Sequence, residues 1–159
     1  MSEASDRFQK HILPALPEVD VLLANDFEAE KLTGLAINRG GKIDRAAVET
    51  AARRLIAQGV RQWAVIHFPE AVCACAATSE CVWQASVAVP ADFIAGAAGA
   101  GDALAAGVLL GWHDGRPMQE CLHQGVCAAA ASLSHPSCSD GVKPLAECLA
   151  LGECFGFRG

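Results

Sequence analysis

The chain has 159 residues and a mass of 16.5 kDa, of which 52% are hydrophobic and 19% charged, so it can bury a substantial core and is not intrinsically disordered. Twelve basic against eighteen acidic side chains give a formal net charge of −6, which argues against a nucleic-acid-binding surface because such a surface needs a basic footprint. Aromatic residues make up only 6%, with no tyrosine, so a platform for stacking bases is also unexpected.

Eight cysteines lie between Cys73 and Cys154, a smaller proportion than the roughly 8–10% that marks a disulfide scaffold in a short secreted chain. The first twenty residues are polar and show no signal peptide, and no stretch is apolar and long enough to be a good membrane span. We therefore expect a cytoplasmic protein with reduced cysteines that pack as small core residues. The alternation around Cys73 and Cys75 places both thiols on one face of a strand.

The first half of the chain is predicted to alternate strands with helices. Apolar runs at 19–25 and 62–68 have the composition of buried parallel strands. Between them, one helix is expected from about residue 27 to 34. A second helix follows Asp44 as its N-cap and continues to about residue 59, because its apolar residues recur at helical spacing.

The second half is predicted to begin with a hairpin and to end with helices. Strands at 72–78 and 81–89 are joined by a short turn, which indicates an antiparallel pair. Alanine- and glycine-rich sequence then predicts helices at about 101–113, 118–134 and 143–151. The whole order is typical of an α/β fold with a mainly parallel sheet, flanking helices and one β-hairpin.

A glycine- and alanine-rich turn, residues 96–102, precedes one of these helices. Small residues allow backbone N–H groups to approach a ligand closely, and the first N–H groups of a helix are unpaired and partly positive. Asp102 lies in the first turn of the helix, beside this candidate anion site. A carboxylate in that place suits removal of a proton from an attacking hydroxyl during phosphoryl transfer. The alternative is an ordinary helix start, with Asp102 interacting with the helix dipole.

Asn25 and Glu28 form a second candidate site at the carboxyl end of the first strand, where ligands bind in open parallel sheets. Three residues apart on a helix start, they face the same way and could hold phosphate or the water molecules of a magnesium ion. The alternative is structural, with Asn25 capping the helix and Glu28 stabilising its dipole.

Both motifs resemble those of the PfkB (ribokinase-like) carbohydrate kinase family. LLANDFEAEKLTG (22–34) is similar to its N-x-x-E segment, and GAAGAGDALAAGVLLGWHDG (96–115) to its C-terminal signature, D-T-T-G-A-G-D-x-F-x-x-G. SHPSCSDG (134–141) is similar to the segment that borders the family's adenine site. The resemblance implies a three-layer ribokinase-like (Rossmann-like) fold. Because family members are much longer, residues 1–159 would be a single domain, the carboxyl-terminal, nucleotide-side portion of an incomplete fold.

By this resemblance the chain is an ATP-dependent phosphotransferase of the sugar kinase type. Asp102 would be the general base that deprotonates the acceptor hydroxyl of a carbohydrate. The backbone amides of Gly99, Ala100 and Gly101 would form the anion hole that binds the transferred γ-phosphoryl group.

The cofactors implied by the resemblance are ATP and Mg²⁺. Asn25 and Glu28 would act on the magnesium–phosphate side, with Glu28 as the metal-side carboxylate. The acceptor would be a sugar or a nucleoside, with no nucleic acid and no membrane as partner. A half-sheet would expose an edge that invites pairing, so we expect a homo-oligomer or docking to the missing amino-terminal half.

Three departures from the family pattern keep an alternative open, and the largest is length, since family members are roughly twice as long and the amino-terminal half has no counterpart here. Gly96, Ala97 and Ala98 occupy the positions of the aspartate and two threonines before GAGD, and residues 65–71 lack the glycines of the usual T-x-G-x-x-G turn. The alternative is therefore a non-catalytic, truncated remnant that serves as a binding or interaction module.

Overall fold

The computed structural model describes residues 10–159, which contain five α-helices and six strands. The helices are α1 (Asp26–Thr33), α2 (Arg45–Ala57), α3 (Ala100–His113), α4 (Met118–Ser132) and α5 (Leu145–Phe155). The strands are β1 (Val21–Asn25), β2 (Asn38–Arg39), β3 (Lys42–Ile43), β4 (Trp63–Phe68), β5 (Ala71–Ala76) and β6 (Cys81–Ala85). Two short 3₁₀ helices, Leu13–Glu18 and Ala91–Phe93, complete the described elements.

The described chain divides into two compact units. The first consists of residues 10–68 together with Cys73–Val82, and the second of Pro69–Val72 together with Trp83–Gly159. The first unit contains α1 and α2, and the second contains α3, α4 and α5.

Four strands form one sheet in the order β1-β4-β5-β6. β1 and β4 are parallel, with Val21 opposite Trp63 and Asn25 opposite His67. β4 and β5 are separated only by Pro69 and Glu70, so this pair is antiparallel, because parallel strands need a long crossover connection. The α/β class is confirmed, and the sheet is mixed rather than mainly parallel.

Local sequence signals determine where α1 and α2 begin and end. Asn25 caps α1, and Gly34 ends it in the left-handed conformation with φ of 72°. The Asp44 carboxylate accepts hydrogen bonds from the Ala46 and Ala47 N–H groups at the start of α2. Both predicted caps are present, and the observed helix boundaries lie within a few residues of those expected.

A second, two-stranded sheet was not expected from the sequence. β2 and β3 are antiparallel and joined by Gly40 and Gly41, whose φ angles are 64° and 84°. Two consecutive residues with positive φ form the tight hairpin turn that matches strand twist. The segment that the sequence indicated as a polar turn is therefore a complete short hairpin.

In the second unit, α3 and α4 pack closely through small residues. A Cβ atom added to Gly107 would lie 2.8 Å from the Gln124 carbonyl oxygen and 2.8 Å from Gly125 Cα. Nothing larger than glycine fits there without displacing backbone, so the small residues of α3 set how closely the two helices approach.

The prediction that all cysteines are reduced is wrong, because Cys75 on β5 and Cys81 on β6 form a disulfide. The pairing depends on strand register, which brings the two residues together across neighbouring strands. The prediction that Cys73 and Cys75 share a strand face is confirmed, since their sulfur atoms lie 4.0 Å apart and both residues are buried. Burial raises the pKa of the Cys73 thiol to about 12, with Glu49 adding to the effect.

No helix within residues 10–159 has the length and apolar character needed to cross a membrane.

Candidate active site

The start of α3 carries the sequence-predicted anion site. Gly99 is the N-cap residue, with φ of 80° and no side chain to cap the helix. The first regular helical bond runs from the Ala103 N–H group to the Gly99 carbonyl at 2.9 Å, whereas the Ala100 N–H group makes only a long 3.4 Å bond to Ala97. Within residues 10–159, the N–H groups of Gly101 and Asp102 have no hydrogen-bond acceptor. Two unpaired donors therefore point out of the helix end.

The glycine turn, residues 96–102, packs against residues 133–138, which follow α4. The Ala95 N–H group donates to the Leu133 carbonyl at 2.8 Å. A Cβ on Gly96 would lie 2.8 Å from Pro136 Cα, and one on Gly99 would clash with the Cys138 carbonyl oxygen. The turn can come this close only because both residues lack side chains, so its N–H groups are held by contacts distant in sequence.

Asp102 lies on the open side of this helix start. Its side chain is exposed, and it has no ion-pair or hydrogen-bond partner among the described residues. The carboxylate and the two unpaired N–H groups therefore belong to one helical turn. Neither the carboxylate nor these N–H groups have a hydrogen-bond partner among the described residues. This arrangement can bind an anion and accept a proton next to it.

Asn25 and Glu28 form a reciprocal capping box at the start of α1. The Asn25 Oδ1 atom accepts from the Glu28 N–H group at 2.8 Å, and the Asn25 N–H group donates to Glu28 Oε2 at 2.9 Å. The structural interpretation of this pair is therefore present in the fold. Glu28 Oε1 has no hydrogen-bond partner among the described residues and can still accept a bond from a ligand or a water molecule.

The two groups of predicted residues lie in different units of the chain. Asn25 and Glu28 belong to the first unit, and residues 99–102 to the second. Within residues 10–159, no three potential metal-ligating side chains converge. A magnesium ion suits such sparse ligation, because it retains several water molecules and commonly binds one or two carboxylates together with substrate phosphates.

The packing of residues 133–138 against the glycine turn was not predicted from the sequence. The contact between Gly99 and Cys138 joins residues far apart in the chain, and neither residue type signals it. The partial signal in the sequence is the glycine itself, since a left-handed N-cap position favours this residue.

A comparison with family models identifies the chain's relatives. Residues 1–145 match the model described as pfkB family carbohydrate kinase, which includes both candidate motifs. The chain belongs to the pfkB family of carbohydrate kinases. No curated protein matches it significantly.

Solved structures with similar folds are ribokinase-like kinases. The structure of Arabidopsis thaliana ribokinase complexed with ribose and ATP matches with a TM-score of 0.76 and 19% identity, covering 92% of this pfkB-family chain and 44% of that one. The Thermotoga maritima 2-dehydro-3-deoxygluconokinase matches with a TM-score of 0.74 and 20% identity, covering 94% of this chain and 46% of that one. Adenosine kinase from Schistosoma mansoni, in complex with 2-fluoroadenosine, matches with a TM-score of 0.69 and 21% identity, covering 90% of this chain and 43% of that one.

These matches establish the fold of this pfkB-family chain as ribokinase-like and incomplete. The chain spans less than half the length of each of these kinase structures.

Proposed function

We propose that this chain carries the phosphoryl-transfer end of an ATP-dependent sugar kinase. The observation that supports the proposal is the start of α3, where the unpaired N–H groups of Gly101 and Asp102 accompany an exposed, unpartnered carboxylate. Family membership supports a carbohydrate or nucleoside acceptor. ATP as phosphoryl donor is consistent with the kinase neighbours, one of which was solved with ribose and ATP.

In the proposed reaction, Asp102 accepts the proton of the acceptor hydroxyl as its oxygen attacks the γ-phosphorus of ATP. The bond between the γ-phosphorus and the β–γ bridging oxygen breaks, and ADP leaves with the electron pair. The amides of Gly99, Ala100 and Gly101 form the proposed anion hole, which stabilises the negative charge on the transferred group. The unpaired Asp102 N–H group would add a further donor, and the Ala100 N–H group would exchange its long 3.4 Å bond to Ala97 for one to the phosphoryl group. The contacts of the turn with residues 133–138 keep these amides in position, so they need little reorganisation during the reaction.

Asn25 and Glu28 are proposed to act on the magnesium–phosphate side. The fit rests on Glu28, whose Oε2 atom is used by the capping box while Oε1 stays available to a magnesium-bound water molecule. When bound, Mg²⁺ would neutralise phosphate charge. Asn25 would orient Glu28 through the two hydrogen bonds that join them.

The open edge of β1 is proposed to pair with the amino-terminal half of the ribokinase-like fold. Within residues 10–159, β1 has a neighbouring strand on one side only, β4. Its apolar residues Val21, Leu22 and Leu23 are only partly buried, and similar structures contain more than twice as much chain. An unpaired edge of this kind readily accepts another strand. Light scattering tests this proposal: a clean monomer at high concentration, unchanged on adding an amino-terminal half, would contradict it, and a stable homodimer would assign the edge to a second copy.

Turnover of ATP with a panel of sugars and nucleosides tests the catalytic proposal. Asp102→Asn keeps the size of the side chain but cannot accept the proton, so we expect turnover to fall about 10²- to 10⁴-fold. Asp114→Asn is the matched control, because it removes an exposed carboxylate from the other end of α3. Equal activity of the wild-type protein and Asp102→Asn would overturn the assignment of the base.

Glu28→Gln tests the magnesium side separately. Glutamine can accept the same hydrogen bond from the Asn25 N–H group, so the capping box is retained while the negative charge is lost. We expect the magnesium concentration needed for half-maximal turnover to rise, with an unchanged melting temperature. An unchanged magnesium requirement would restrict Glu28 to helix capping.

A non-catalytic binding module is the second candidate function. Alanines at 97 and 98 lack the two threonine hydroxyls of the family signature, and Pro69 and Glu70 form only a tight two-residue connection between β4 and β5. If ATP raises neither the melting temperature nor any turnover, with or without an amino-terminal half, this second function is favoured.

A further inference from the structure

Two residues of the 135–141 loop, which lies between α4 and α5, pack directly against the glycine turn. A Cβ atom on Gly96 would be 2.8 Å from Pro136 Cα, and one on Gly99 would be 2.9 Å from Cys138 Cβ. Only one residue separates these two contacts in the chain. The conformation of the loop at that residue therefore determines how the loop meets the turn that carries the proposed anion hole.

The His135 ring binds the residue between the two contacts, Ser137. The Ser137 N–H group donates to His135 Nδ1 at 3.1 Å, and the Ser137 Oγ atom lies 2.9 Å from the same nitrogen. Ser137 Oγ also accepts a hydrogen bond from the Asp140 N–H group at 3.1 Å. One imidazole nitrogen is thus joined to Ser137 directly and to Asp140 through the serine hydroxyl.

The bond from the Ser137 N–H group specifies the form of the imidazole. Nδ1 can accept this bond only when it carries no proton, so the neutral ring has its proton on Nε2. The nearest carboxylate oxygen, Asp140 Oδ2, lies 3.9 Å from Nδ1, which is too far for a hydrogen bond. Among the described residues, the Ser137 N–H group has no other acceptor. Without the imidazole it would have only water, which does not fix the geometry of the loop.

The two ends of the loop are fixed without the His135 side chain. The backbone N–H group of His135 donates to the Ser132 carbonyl oxygen at 3.3 Å, at the end of α4. A Cβ atom on Gly141 would lie 2.7 Å from the same oxygen, so the far end of the loop packs there as well. Loss of the exposed ring is therefore expected to relax residues 136–138 without unfolding the helices.

We propose that His135 is a positioning residue for phosphoryl transfer, because its Nδ1 atom fixes Ser137 and thereby holds Pro136 and Cys138 against the glycine turn. This inference rests on the proposed function, in which the amides of that turn stabilise the transferred phosphoryl group. Such donors are effective only when they are held where charge develops, and small displacements reduce turnover strongly. His135 acts in this way without touching ATP or the acceptor.

Two substitutions of His135 test the proposal. His135→Asn supplies a carboxamide oxygen close to the position of Nδ1, and asparagine readily accepts a hydrogen bond from the N–H group two residues further along. His135→Ala supplies no acceptor. We expect kcat to fall about tenfold in His135→Ala and to return to within about twofold of the wild-type value in His135→Asn. Because the amides act mainly on the charge of the transition state, the KM for ATP should change less than kcat.

The backbone amide resonances of Gly96 and Gly99 in ¹⁵N-labelled, ligand-free protein give a readout that needs no turnover. We expect both resonances to shift in His135→Ala and to return close to their wild-type positions in His135→Asn. His113→Ala is the matched control, because it removes an exposed imidazole from the last residue of α3. It should change neither the two resonances nor kcat.

Three results would overturn the proposal. One is an unchanged kcat, or unmoved Gly96 and Gly99 resonances, in His135→Ala. Another is an equal loss of turnover in both His135 variants, which would assign the imidazole to direct contact with a ligand. The third is an equal shift of the two resonances in both variants, which would report only the loss of the ring. If the wild-type protein shows no turnover, the kinase proposal fails, and the resonances still decide whether His135 positions the turn.

Discussion

Gly99→Ala should destabilise the protein for two separable reasons. Gly99 has φ of 80°, in the left-handed region, where a residue with a Cβ atom costs about 1 kcal/mol or more. Its Cβ would also lie 2.7 Å from Cys138 Cα and clash with the neighbouring carbonyl oxygen. Because backbone atoms cannot rotate away, relieving this overlap adds about 2 kcal/mol. The total is about 3 kcal/mol, which corresponds to a fall in melting temperature of about 9 °C for a chain of this length.

Two other glycines separate these contributions. Gly115 has φ of 72° and no atom within 4 Å of an added Cβ, so Gly115→Ala incurs only the backbone cost of about 1 kcal/mol. Gly96 has no left-handed φ, but its Cβ would lie 2.8 Å from Pro136 Cα, so Gly96→Ala incurs mainly the overlap. Thermal and urea unfolding of the three variants measures the difference. If Gly99→Ala is no less stable than Gly115→Ala, the described packing of residues 135–138 against the turn is wrong.

The other two stability predictions concern the α1 cap and the buried thiols. Asn25→Ala removes the side chain that accepts from the Glu28 N–H group, so urea unfolding should show a loss of about 1 kcal/mol; Asn25→Asp retains an acceptor, and equal losses in both variants would contradict the capping role. Burial raises the pKa of Cys73 to about 12 and that of Cys127 to about 11. Both folded-state pKa values exceed the ordinary thiol pKa of 9.0, so the two neutral, buried thiols contribute to the stability of the folded state. That contribution is complete below pH 9 and is lost as the pH rises through 9 towards 12. Between pH 8 and pH 10, the free energy of unfolding should fall by about 3 kcal/mol from these two thiols. Cys127→Ala should reduce that pH dependence, the exposed Cys154→Ala should not, and equal profiles for both would refute the assignment.

Features with local causes were predictable from the sequence, and features that depend on distant contacts were not. The caps by Asn25 and Asp44 are signalled by residue type and by the apolar pattern that follows, and both are present. The β2–β3 hairpin was missed because each strand has only two residues, too few for a period to be visible. The disulfide between Cys75 and Cys81 was missed because it depends on the pairing of β5 with β6.

The candidate site shows the same division. The sequence indicates a helix start with small residues and an acid, because these lie within seven consecutive positions, 96–102. The unpaired N–H groups of Gly101 and Asp102 follow from the helix start itself, so they belong to the predictable part. That residues 135–138 support the turn depends on tertiary contacts. The roles of Asp102, of the three amides, and of Asn25 and Glu28 stay predictions until ligands are bound.

Backbone amide chemical shifts test the central proposal most directly. In a ¹⁵N-labelled protein titrated with ATP and Mg²⁺, we expect the amide resonances of Gly101 and Asp102 to shift saturably as they donate to phosphate. The same shifts should persist in Asp102→Asn, because the binding groups belong to the backbone, while Gly115 beyond the far end of α3 stays unchanged. Two results would contradict the assignment of a phosphate site to the start of α3. In one, ATP and Mg²⁺ shift other amide resonances but not those of Gly101 and Asp102; in the other, they shift no amide resonance at all.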